Sequence, residues 1–513
     1  MKSILATHHF YTMPAPTVFE QQQAESIRTA TTVGDPLAVY VPSPAKPWNA
    51  RRVAHLYRRL GFGATLQQIQ QGLLMSPEDL IDQLLDTAGD LGAPDPPYWG
   101  GWTMNEYAEN ADPNLVFTHR DELRRRWMGN MLDEGIQAKM ALFWHNHFVT
   151  ELNAVGCNAF LWSYYALIHQ YAYGNFRIFT REMGKTGAML TYLNGNLNVA
   201  GQPNENYARE LMELFTMGEG NGYTQQDIVE MARALTGWQA NNYLCTPPYF
   251  APAYHDDNPK TIFGQTSNYG FTTAHNLLFS ARAPQVSHFI SSKLYKFFAY
   301  QKIDPQVVEG MAQTFRDSNW EIMPVLKQLV KSEHFFEDSI LNAQIKTPLE
   351  SMICLLQNAS ATSNLVADNY WNALFYWSYQ LGQEIFNPPN VAGWKGHHSW
   401  INESTLTGRW NYSAAFAYYL TQDETLKENL RTLAQTLTND SNDPTIVTAA
   451  LVDFFIGQTL EPVHLQAAVI NFKSNIPENY FEDGSWNLYW DEVPYQIVNM
   501  LYYLVKLPEF QLT

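Results

Sequence analysis

Two histidines one residue apart, His145 and His147 in the segment WHNHF, give the chain's clearest metal-type signal. On an extended stretch, residues two apart point to the same side and can share one ion. On a helix they diverge by about 200°. The preceding MALFW favours a helix, so the pair can act together only if that helix ends near Trp144. The plainer reading is a pair of structural histidines hydrogen-bonded within a core. A second constellation follows in NENYARELMEL, where Glu205, Arg209 and Glu213 stand four residues apart and line one helix face. Glu210 points elsewhere. On a surface this carboxylate–guanidinium–carboxylate ladder is worth about a few tenths of a kcal/mol. Buried, it becomes a structural network or an acid–base or metal site. His255–Asp256 adds one more His/carboxylate pair in an irregular stretch. With His145, His147 and Glu210 it makes a mixed nitrogen and oxygen set of the kind zinc, manganese or iron accepts. The spacing matches no H-E-x-x-H or other named zinc pattern.

These residues define two readings. In the first the chain is a metal-dependent, hydrolase-like enzyme. His145, His147, His255 and Asp256 hold a divalent ion (zinc, manganese or iron), while Glu205, Arg209 and Glu210 supply the catalytic groups. A carboxylate then acts as general base toward bound water, and Arg209 steadies an anionic substrate or transition state. In the alternative the chain is a non-catalytic binding or assembly protein. Its polar cluster is then a structural network, and its aromatic loops hold a glycan or a partner protein. His397–His398, between Gly396 and Ser399–Trp400, read as merely exposed loop histidines.

The elements that must position these groups are mostly helices. From about Glu205 to Met217, Leu211, Leu214, Phe215 and Met217 recur at helical spacing, and Gly218, Gly220 and Gly222 end the run. Thr224, with Asp227 three residues on, caps the next helix. Similar start signals stand at Thr65 with Gln68, Ser76–Pro77, Asp304–Pro305, Thr347–Pro348 with Glu350, and Asp443–Pro444. Between the helices lie irregular inserts near 89–114, 239–282 and 386–406, the second expected to carry a small hairpin. Residues 1–47 read as a polar tail or strap, and 48–513 as a single large helical domain. The fold class is mainly α: a large multi-helix body with irregular loop insertions and at most small β-hairpins.

Composition bounds the function. The 513-residue chain is 46% hydrophobic and 16% charged, which is a globular composition. Its net charge of −18 and the lack of a basic run argue against a nucleic-acid partner. No apolar run reaches the roughly 18 residues of a membrane helix. The start, MKSILATHHFYTMPAPT, has only a four-residue apolar patch before two histidines, too short for a secretory core, so no signal peptide is read from it. Cys157, Cys245 and Cys354 show no metal spacing and allow at most one disulfide. There is no dinucleotide fingerprint, P-loop, nucleophile elbow or calcium-binding loop.

Several segments in order, HLYRRLGFGAT, LFWHNHF, NENYARELMELFTMGEGNGYTQQDIVEMARALTGW, HDDNPKTIFG, ISSKLYKFFA, KTPLES, PPNVAGWKGHHSWINESTL and LPEFQL, resemble the large bacterial family catalogued as domain of unknown function 1800. The resemblance runs from Trp48 to the end. It implies a largely helical fold and brings no established activity. It also implies an exported, periplasmic or extracellular setting and a sulfatase-like or phosphatase-like partner protein. GWKGHHSW departs from the family's GWPGG-type turn, so His397 and His398 inherit no family role.

Overall fold

In a computed structural model the described residues are 34–110 and 112–513; residues 1–33, which hold the signal-peptide reading and most of the expected 1–47 tail, lie outside them. The chain is mainly α, with two small antiparallel sheets among the described residues. The helix starts follow their sequence signals. Thr65, Thr224 and Thr347 each accept from the third helical N–H, while Gln68, Asp227 and Glu350 reach back to close capping boxes. Asp304 and Asp443 cap helices whose first residue is proline.

The helices bury one contiguous apolar cluster that runs from Tyr40 to Phe510. Its interior also holds several cations, satisfied largely by backbone carbonyls. Arg58 donates to Phe454 O at 2.7 Å, Arg59 to Ala299 O at 3.0 Å, and Lys346 to Phe510 O at 2.9 Å. These carbonyls lie at or just past helix ends, where the backbone leaves acceptors unpaired and the dipole favours positive charge. The early helix Ala50–Leu60 is thereby tied to the last hundred residues. The chain end is tied too: Lys346 N donates to Gln511 O, and Thr513 N to Gln344 O, both at 2.8 Å.

The insert at 239–282 contains more order than one hairpin. β1 (Trp238–Asn241) pairs with β2 (Thr246–Phe250), and β3 (Lys260–Ile262) with β4 (Gln265–Ser267). A helix over Phe271–Ala281 completes it. The β1–β2 turn is fastened to the body by a disulfide between Cys157 and Cys245, whose Cα atoms are 5.4 Å apart. Cys354 is free and buried. Residues 36–40 lie along 331–334, with Tyr40 N donating to Lys331 O and Glu333 N to Ala38 O, each at 2.8 Å.

Candidate functional site

The helix Gly135–His147 runs through the whole WHNHF histidine pair, ending only at Phe148. His145 and His147 therefore diverge, and each is consumed by protein partners. His145 lies wholly buried, its Nδ1 2.7 Å from Tyr164 Oη and its Nε2 accepting from Phe386 N at 3.0 Å. Tyr164 in turn donates to Phe148 O. Burial holds the His145 imidazole down at about 3, so it is neutral. His147 places Nε2 2.9 Å from Phe215 O and Nδ1 2.8 Å from Lys293 Nζ. A carbonyl only accepts, so Nε2 carries the hydrogen and Nδ1 is the acceptor facing the lysine. Burial and the Lys293 charge both push this imidazole well down.

The remaining predicted ligands sit in other settings. His255 Nδ1 lies 3.0 Å from Thr236 O, and Asp256 pairs with Arg233 at 2.8 Å. Burial would raise the Asp256 carboxyl, but Arg233 and Asn258 hold it at about 2. The expectation that His145, His147, His255 and Asp256 surround one ion is thus not met. Among the described residues no group of three or more His, Cys, Asp or Glu is arranged to hold a metal. The physical reason is the helix: it sends adjacent ligand types to different neighbours, and each is then satisfied by hydrogen bonds.

The expected catalytic group is a partly exposed ladder. Arg209 bridges Glu205 at 3.0 Å and Glu213 at 3.3 Å, and Gln225 joins both Glu205 and Arg209. Glu210 faces away, its carboxyl raised by burial and by the nearby Glu213. Just after it the helix widens into a π turn over Leu211–Thr216.

What the WHNHF segment does build is a joint. Between the two histidines, Asn146 pairs with the Trp394 backbone in both directions, accepting from Trp394 N at 2.6 Å and donating to Trp394 O at 3.2 Å. Three successive side chains therefore fix three different pieces: the chain at Phe386, the loop at Trp394, and Lys293. Gly393 sits at φ 78°, and a Cβ there would fall 2.5 Å from the Asn146 carbonyl oxygen. Only glycine lets the loop come this close.

Behind that joint lies a cavity of about 250 Å³, small for a ligand site. Its walls come from segments far apart in sequence. Phe143 and Asn146 come from the Gly135–His147 helix, and Lys293, Lys296 and Phe297 from the helix Ala283–Phe298. Thr347 and Glu350 belong to the capping box, and Trp394, Lys395, His397 and Trp400 to the loop. Glu350 is buried against Lys139. Burial pushes its carboxyl up, but the Lys139 ammonium and the Thr347 N–H more than offset this and keep it ionised. That pair is neutral as a unit. Lys293, Lys296 and Lys395 then leave the cavity with excess positive charge; among the described residues none of them has a carboxylate partner. The indole N–H groups of Trp394 and Trp400 are buried without acceptors among the described residues. The donors the lining offers a ligand are therefore the lysine ammonium groups.

His397, expected to be merely exposed, is half-buried and lines this cavity, while His398 is exposed. Sequence reasoning missed the three lysines and the two tryptophans. Lysines near a helix end read as ordinary complements to its dipole. The available signal was a pair, Lys293 and Lys296, spaced three apart on a helix with no other charged residue. A second trough runs beside β1–β2, where Lys185 lies over the Trp238 and Phe271 rings. It is open, and Glu182 pairs with both Arg181 and Lys185, so it has no comparable donor excess.

The family model described as "Protein of unknown function (DUF1800)" matches residues 55–512. No curated protein and no solved structure is found to match.

Proposed function

The chain belongs to the DUF1800 family, and from that premise we propose that its function is to bind a small anionic molecule in the cavity behind the WHNHF joint. One observation carries this reading: in a chain of net charge −18 the half-open cavity is lined by three lysines, none with a carboxylate partner among the described residues. Donors without acceptors call for a ligand that brings acceptors, and cationic walls favour one that brings negative charge. The rings of Phe143, Phe297, Trp394 and Trp400 supply apolar walls for the rest of the ligand. The volume suits a molecule the size of a small organic acid or a phosphorylated metabolite, not a polymer. Four of the segments on which the family resemblance rests, LFWHNHF, ISSKLYKFFA, KTPLES and AGWKGHHSW, converge here across more than 250 residues of chain.

Titration calorimetry with inorganic phosphate, acetate and benzoate, together with tryptophan fluorescence, tests this. Binding is expected, weakening as salt is added because Lys296 and Lys395 are exposed at the mouth. Reversing both charges, Lys296→Glu with Lys395→Glu, should weaken it by about tenfold or more, or ~1.4 kcal/mol. A chain that gives neither heat nor fluorescence change with any of the three anions would sink the proposal.

A further inference from the structure

Within the cavity Lys293 differs from its two companions. Lys296 and Lys395 are exposed, whereas Lys293 is half-buried and its amine is held 2.8 Å from His147 Nδ1. His147 cannot turn its other nitrogen toward the lysine, because Nε2–H is spent on Phe215 O. The amine thus faces a fixed neutral acceptor. An unprotonated amine can donate one N–H to that acceptor and keep its lone pair for something else. We propose that Lys293 is a nucleophile that forms an imine with an aldehyde or ketone carrying an anionic group.

This deepens the anion-binding reading and rests on it: the anionic group would pair with Lys296 and Lys395. The Nζ lone pair attacks the carbonyl carbon, and the C=O π pair moves to oxygen, which takes a proton. Loss of water from the resulting carbinolamine forms the C=N bond. Amine and carbonyl give imine and water, with no change of oxidation state. Two features make the amine available. Burial pushes the Lys293 ammonium down to about 8, and the charge of Lys296 one turn away adds to this. A lysine desolvated beside a second cation is the arrangement that prepares an amine for carbonyl chemistry. His147 acts here as a positioning residue, holding the amine without itself accepting its proton for long, since its imidazole is pushed far down by burial.

The experiment treats the full chain with glyoxylate, an anionic aldehyde, and sodium cyanoborohydride near neutral pH, then maps adducts on peptides by mass spectrometry. Phosphate titration of the same preparation runs in parallel. Lys293 should label about tenfold or more faster than exposed lysines. The neutral propionaldehyde should not share that preference, and excess phosphate should protect Lys293. Lys293→Arg should remove the selective adduct, and His147→Gln should slow labelling while circular dichroism shows the variant folded. If phosphate binds but glyoxylate marks only exposed lysines, the nucleophile is overturned and the anion site stands. If phosphate does not bind and no selective adduct forms, both fall. The wild-type map decides between these even if a variant does not fold.

Discussion

The three side chains of His145, Asn146 and His147 show what adjacent polar residues do at a buried helix end. Separated by about 100° each, they reach the Phe386 chain, the Trp394 loop and Lys293. None is left over for an ion. Asn146→Ala removes both bonds to the Trp394 backbone and strands a buried N–H, which should cost about 2–3 kcal/mol in denaturant unfolding. It should also loosen the cavity loop, read as faster exchange of the Trp394 amide. Loss of less than 0.5 kcal/mol would contradict the joint. Lys139 poses a sharper case. Its ammonium lies buried between Glu350 and Gly61 O, so Lys139→Met leaves a buried carboxylate unpaired. A loss of about 3–5 kcal/mol is expected, with Lys139→Met/Glu350→Met milder than the single change.

At the scale of elements, the capping signals and the one disulfide do different jobs. Thr347 opens the helix Pro348–Asn358, and its box partner Glu350 is also a wall of the cavity. Thr347→Ala should cost about 1 kcal/mol of stability. Because the Thr347 backbone N–H that grips Glu350 at 2.6 Å is kept in the variant, its phosphate affinity should change little. The Cys157–Cys245 bond closes a segment with a sequence separation of 88 and fastens the β1–β2 turn. Cys157→Ser with Cys245→Ser should cost about 2–4 kcal/mol and leave the cavity's phosphate affinity unchanged, since neither cysteine lines it. A shift in that affinity would show that the hairpin and the cavity are coupled.

For the whole molecule, buried neutral histidines set the response to acid. His55, His145, His147, His169 and His275 are all buried, and burial pushes each imidazole down, His145 and His169 to about 3 and His275 to about 4. Unfolded, each takes up a proton near pH 6.5. Below that pH the unfolded chain therefore binds more protons than the folded one, and stability falls as pH falls. Each histidine contributes a slope of up to about 1.4 kcal/mol per pH unit until its folded value is reached. Unfolding midpoints measured between pH 7.5 and 4.5 should drop steeply below pH 6.5 and stay nearly flat above it. A flat profile through pH 5 would mean these imidazoles are not neutral in the fold.

Helix starts were legible in the sequence because a cap is local: Thr65, Thr224 and Thr347 act on N–H groups within three residues. The mainly helical class followed from the same short-range spacing of apolar residues. The candidate site was legible only in part. His147 contacts Lys293, and Glu350 lines the cavity while paired with Lys139, but neither contact can be read from neighbours in sequence. His255 and Asp256 were placed with His145 by residue type alone, and the fold sends them to Thr236 and Arg233. The lysine-lined cavity is a product of tertiary structure, because it exists only where segments more than 250 residues apart meet. Sequence determines which groups can donate, accept or carry charge. Packing decides which of them are satisfied by the protein and which are left for a ligand, since that depends on who the nearest neighbour is once water has gone.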